Sequence, residues 1–171
     1  MGFWGYLVVG RSDRELAECS TLAPGRERLE LAETFADGWQ LWQHPSEPGL
    51  GDLDDVAGAL ARETGAPTLL AYVMDGDCAV LEGAGPVRGS WTACLGRTAL
   101  ARHVGENEIV LDDVFPSPAG AAAHAAGWAA AAGRTVDSRR LADVLSAEPD
   151  PDVEKLFHEV LEKLGIEAAG A

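Results

Sequence analysis

The feature that most constrains this chain is the run at residues 67–95, PTLLAYVMDGDCAVLEGAGPVRGSWTACL. Two apolar segments flank Asp75-Gly76, a pair suited to the left-handed conformations of a type I′ hairpin turn. A glycine-rich stretch follows, then a third apolar segment. The pattern predicts a three-stranded antiparallel meander at the centre of the fold. With Asp75 and Gly76 at the tip, Met74 falls opposite Asp77, Tyr72 opposite Ala79 and Leu70 opposite Leu81. On the other face Val73 meets Cys78 and Ala71 meets Val80. Both faces are apolar near the middle, which predicts strands covered on both sides or central in their sheet.

The remaining segments arrange themselves around that meander. Residues 2–10 are dense in β-formers and predict a strand ended by Gly10. Ser12 caps a short helix over 13–19 with Leu16 inward, and 21–28 form a loop around Pro24-Gly25. A second Asp-Gly pair, Asp37-Gly38, predicts a hairpin over 29–44 in which Thr34 faces Leu41. Its mixed face gathers Leu31, Glu33 and Phe35 with Gln40, Trp42 and His44. Residues 45–51 are a loop. Asp52 caps a helix that carries Leu53, Val56, Ala57 and Leu60 at helical spacing and stops at Gly65.

Beyond the meander the chain predicts a short helix over 97–103 and a seventh strand over 108–111. Three helices follow, begun by Ser117-Pro118, by Asp137 and by Asp150-Pro151. The last bears a wide apolar stripe of Val153, Leu156, Phe157, Val160, Leu161 and Leu164. Strands followed by helices specify an α+β domain. The expectation is a mainly antiparallel sheet of about six or seven strands with helices packed on it and a helical C-terminal third. It spans residues 1–166, and residues 167–171 form a frayed tail.

Thirteen basic and 28 acidic residues in a chain of 171 give a net charge of −15, and 47% of residues are apolar. That apolar fraction excludes bulk disorder. The negative field repels phosphate backbones and anionic lipid, so neither nucleic acid nor a membrane surface is an expected partner; it suits a basic protein, or simply keeps the chain in solution. The N-terminal apolar run lacks a basic leader and a small-residue cleavage site, and is too short to span a bilayer. Cys19, Cys78 and Cys94 have neither zinc-site nor disulfide-framework spacing. A reducing cytoplasm is the expected compartment.

No stretch carries a specific catalytic signature. Asp75 and Asp77, together with Asp112 and Asp113, offer carboxylates to a cation, but turn geometry already accounts for Asp75. The GAGPVRG stretch at 83–89 leads into a strand, not into the helix whose amides a phosphate site uses. Cys78 and Cys94 lie in apolar strand segments, where an inert buried thiol is the ordinary state. Glu154, His158 and Glu162 share a helix face, but a second histidine is missing from the metalloprotease spacing. No metal and no cofactor is therefore expected.

Candidate partner-binding residues are Glu33, Trp42 and His44 on the mixed hairpin face, Trp42 as an exposed anchor, with Asp112 and Asp113. Tyr72, Cys78, Trp91 and His103 are candidates to line a pocket between sheet and helices.

Three segments, MGFWGYLVVGRSDRELAE at 1–18, AYVMDGDCAV with WTACLG at 71–80 and 91–96, and EKLFHEVLEKLGI at 154–166, resemble a family of small acidic actinobacterial proteins of the streptomycete type. That family carries no assigned activity, so the resemblance implies no functional residues. Abundant Ala, Gly, Arg, Asp and Glu, with Lys155 and Lys163 the sole lysines, suits a high-GC genome. In size, acidity and make-up the chain is also similar to immunity proteins that neutralise basic toxin domains. The leading expectation is a non-catalytic acidic protein-binding module. The alternatives are a small-molecule-binding protein or enzyme, and a subunit self-associating through the last helix.

Overall fold

The computed structural model describes residues 2–104 and 111–168. Among them six strands form one sheet: β1 (Gly5–Arg11), β2 (Glu30–Thr34), β3 (Trp39–Pro45), β4 (Thr68–Met74), β5 (Cys78–Ala84) and β6 (Trp91–Leu95). The spatial order is β2-β3-β1-β4-β5-β6, and every neighbouring pair is antiparallel. The α+β class, the antiparallel sheet and the helical C-terminal part stand as expected. Residues 108–110 of the expected seventh strand lie outside the described residues.

β1 sits between the two hairpins. β3 and β4 are both antiparallel to β1 and flank it, so they run parallel to each other. The chain passes from β3 to β4 through α1 (Leu53–Thr64), which crosses one face of the sheet. Asp54 and Asp55 favour its first turn, Arg62 its last, and Gly65 ends it at φ 69°. Its inner side, Val56, Ala57, Leu60 and Ala61, packs with Val8, Leu70 and Trp42. Thr68 Oγ1 donates to the Ala57 carbonyl at 2.7 Å and locks the start of β4 to this helix.

The same face is covered at the meander end by α2 (Arg97–Val104), whose Ala99 and Leu100 meet Cys78 and Cys94. The opposite face is covered by α4 (Pro118–Ala130), α5 (Ser138–Ser146) and α6 (Val153–Lys163), reached through the short α3 (Leu111–Val114). Alternate residues of each central strand therefore enter different cores. Leu7, Val9, Leu69 and Ala71 face the C-terminal helices, whereas Val8 and Leu70 face α1. This is why the central strands read as apolar on both sides. The α6 stripe lies wholly in this core, so it offers no apolar face for self-association. Trp128 closes the core by donating Nε1–H to the carbonyls of Thr68 and Ala84, both at 3.1 Å.

Local differences have local causes. The expected helix over 13–19 and the loop after it are 3-10 segments, Leu16–Glu18 and Ser20–Arg28. Pro24 within the second lacks the N–H that an α-helix would use there. The cap of α6 is Asp152, which accepts from the Lys155 amide at 2.9 Å, not Asp150. The start of the expected frayed tail is tied down: the Ala36 amide donates to the Glu167 carbonyl, and Ala168 bridges Phe35.

Both hairpins depart from the expected register, the meander by one residue and the first hairpin by one near its turn and two beyond its bulge. In the meander Met74 pairs with Cys78, Tyr72 with Val80 and Leu70 with Glu82. The Asp77 amide closes a turn onto the Met74 carbonyl at 3.1 Å over Asp75 and Gly76, both left-handed. Pairing resumes only at Cys78, so Asp77 is an extra residue outside the ladder. Because side chains alternate, the slip moves Cys78 and Val80 to the face of Tyr72. In the first hairpin the Phe35 amide donates to the Trp39 carbonyl, and a bulge separates Leu31 (opposite Trp42) from Glu33 (opposite Leu41). The bulge sends Leu31 and Glu33 to opposite faces.

Candidate functional site

The residues singled out in the sequence are dispersed. Trp42 is 5% exposed and donates Nε1–H to Gln40 Oε1, so it is core and not an exposed anchor. His44 is 1% exposed, packed edgewise on Tyr6, with Nδ1 2.7 Å from the Pro45 carbonyl. Neither presents a side chain to a partner. Burial is set by the loop and the 3-10 segments laid over this face, which the hairpin pattern does not encode.

Glu33 is half-buried on the other face, where its carboxylate meets His158 Nε2 at 3.4 Å. Asp112 and Asp113 are exposed on α3, and Asp112 lies 3.5 Å from Arg97. The pocket candidates divide as well. Tyr72 and Cys78 are on the α1–α2 face, whereas Trp91 is in the opposite core, 6.0 Å from Trp128. The four residues therefore do not line one pocket. Cys78 and His103 are brought together, by the register slip described above.

The tryptophan that does reach solvent is Trp4, 43% exposed, and the edge strand β2 exposes Leu31 at 45%. Leu31 lies in a groove of about 470 Å³ between β2 and the segment that follows β1. Asp13, Arg14, Glu15 and Glu18 form one wall, and Leu31, Thr34 and Gln40 lie on the strand side. This wall is fixed from the core. Gln40 Oε1 accepts from the Leu16 amide at 3.0 Å and its amide nitrogen donates to the Arg14 carbonyl at 2.8 Å. A buried glutamine thus stitches an irregular acidic segment to the sheet.

The charge of the groove is one-sided. Its cation, Arg14, lies 3.5 Å from Glu63. Glu63 also accepts from the amides of Ser20 and Thr21 and from the Thr21 hydroxyl, and these bonds hold its carboxyl below the usual carboxylate range. Asp13, Glu15 and Glu18 form no ion pair among the described residues. The groove therefore combines an apolar contact with three uncompensated carboxylates. Sequence reasoning assigned 13–19 to a helix and missed this wall. The available signal was the density of acidic residues around Arg14, together with the exposed leucine on an edge strand.

A second grouping lies at the other end of β1. Asp77, outside the ladder, places Oδ1 3.2 Å from His103 Nε2 in the last turn of α2. Cys78 Sγ lies behind them, buried, and burial with the neighbouring Asp77 carboxylate pushes its thiol up to about 12. A thiol so placed is protonated and unreactive at neutral pH without a further partner. The other suggested groupings do not form. Asp75 accepts from the Gly2 amide, and His158 turns to Glu33 and to the Glu154 carbonyl. The residues after β5 connect two strands, with no helix N-terminus aimed at a phosphate. No described helix is long and apolar enough to cross a membrane. Comparison with protein-family models, with curated proteins and with solved structures finds no match to the chain.

Proposed function

We propose that this protein is a non-catalytic binding module that holds a basic protein partner in the acidic groove beside β2, in the manner of an immunity protein. The observation that carries the reading is the groove itself. Leu31 offers an apolar contact within reach of Asp13, Glu15 and Glu18, while the one cation on that wall is already paired with Glu63. Uncompensated carboxylates around a small apolar contact suit a partner segment that carries Arg or Lys beside an aliphatic side chain. The net charge of −15 adds long-range attraction for such a partner. Charges on an edge strand also discourage strand-to-strand pairing, so the surface favours side-chain recognition over sheet extension.

The experiment is capture from a native lysate at low and high salt, comparing the wild-type chain with the Asp13→Asn, Glu15→Gln, Glu18→Gln variant. The expected result is a basic protein retained at low salt, released by high salt and absent with the variant. Calorimetry with the purified partner should then show binding weakened at least tenfold by Leu31→Asp, about 1.4 kcal/mol or more. Equal capture by wild type and variant, or no retained basic protein, overturns the proposal.

A further inference from the structure

We infer that Asp77, Cys78 and His103 form a site for one divalent transition-metal ion of the zinc class. Their donor atoms, a carboxylate oxygen, Sγ and an imidazole nitrogen, all lie within 4.8 Å of one another. The Asp77 Oδ1 to His103 Nε2 separation of 3.2 Å matches a tetrahedron edge: zinc bonds of about 2.0 Å to oxygen and nitrogen give an edge of about 3.3 Å. Edges to sulfur are only a few tenths of an ångström longer at a zinc–sulfur bond of about 2.3 Å. The mixed sulfur, nitrogen and oxygen set suits zinc or cobalt and is too soft for magnesium or calcium.

The ligands are held before any ion arrives. The turn bearing Asp77 and Cys78 is fixed on two sides, by the Gly76 amide on the Phe3 carbonyl at 2.9 Å and by the Val153 amide on the Gly76 carbonyl at 2.8 Å. His103 is packed edge-on by Trp4, ring centroids 5.9 Å apart. Cys78 closes the inner side and is buried, while Asp77 and His103 are partly open to solvent, which provides an entry path. Three protein ligands leave a fourth position for water or an added ligand. On binding, the Cys78 thiol gives up its proton and becomes the thiolate ligand. Asp77 also lines a cleft of about 200 Å³ with Thr98, Arg102 and Glu148, so a ligand on the ion has polar groups nearby. The site lies at the opposite end of β1 from the acidic groove and stands independently of it.

The test uses the full chain, stripped with a chelator and titrated with cobalt(II) chloride and then zinc chloride. The background carries Asp54→Asn and Asp55→Asn, which removes the exposed acidic cluster at the start of α1 as a competing site. One equivalent of cobalt should give the intense visible bands of a four-coordinate ion and a thiolate-to-cobalt charge-transfer band, both bleached by zinc. Cys78→Ser should abolish the charge-transfer band. His103→Ala, at a partly exposed position, should leave the circular-dichroism spectrum unchanged and weaken binding at least about tenfold. If Cys78→Ser does not fold, Asp77→Asn and His103→Ala decide the matter. Cobalt bound without the charge-transfer band, or bound equally by wild type and His103→Ala, overturns the inference.

Discussion

Replacing Gln40 by Met tests how the acidic wall is held. The substitution keeps length and volume but removes every polar contact of the side chain. Gln40 Oε1 accepts from the Leu16 amide at 3.0 Å and from Trp42 Nε1 at 2.9 Å, and both donors belong to residues buried in the α1 core. Leaving two buried donors without partners costs about 1–3 kcal/mol each, so the loss should be about 2–6 kcal/mol. The carbonyls of Ser12 and Arg14, which accept from Nε2 at 3.3 and 2.8 Å, lie at partly buried sites that water reaches and add less. Urea unfolding followed by tryptophan fluorescence measures the total. Hydrogen exchange measures the local part, where the Leu16 amide should lose protection ahead of the sheet. Gln40→Glu, which keeps an acceptor for both donors, should recover part of the loss. A Met variant within about 0.5 kcal/mol of wild type, the range of an ordinary surface change, would refute the idea that this glutamine fastens the segment.

Further outcomes follow from the same reasoning. The Glu63 carboxyl is held low by bonds from Thr21 and Ser20, so the unfolded chain binds its proton first as pH falls. Its contribution is present above the unfolded value and lost as pH drops through the folded one, and Glu63→Gln should flatten the acid limb of a pH–stability profile. Phe157→Ala, in the centre of the C-terminal core, should cost about 3–5 kcal/mol in urea unfolding. At Gly83 an added Cβ would overlap Trp91 Nε1, so Gly83→Ala should displace that indole from the core and cost about 1–3 kcal/mol. Cys19, Cys78 and Cys94 are all buried, with thiols raised by burial. In metal-free protein they should resist alkylation at neutral pH until denaturant is added.

The elements that were legible are those whose causes are local. The two Asp-Gly pairs located both hairpins because few other dipeptides accept left-handed backbone at those positions. Ser117 and Asp137 were readable as caps, and each accepts from amides of its own first turn. The double-sided apolarity of the central strands was readable as burial on both faces, and helices cover both. The candidate site was much less legible. Trp42 and His44 were visible as notable residues, but their exposure depends on a segment whose contact with the sheet is made through Gln40.

By itself the sequence determined the class of the fold, the two Asp-Gly hairpin turns, the caps at Ser117 and Asp137 and the sign of the surface field, because each depends on neighbouring residues or on totals. Tertiary structure alone decided the placement of β1 between two hairpins, a pairing between strands distant in the chain, as Gly5 with Pro45 and Val9 with Leu69. It also decided the register of each hairpin. An extra residue at Asp77 and a bulge at Ala32 shift side chains from one face to the other, and the choice rests on which core each face packs against. Those shifts sent Glu33 toward α6, left Leu31 in the acidic groove and set Cys78 beside His103. The meander at 67–95 could be named from its pattern, but the neighbours of its turn could be known only once α2 was folded against it.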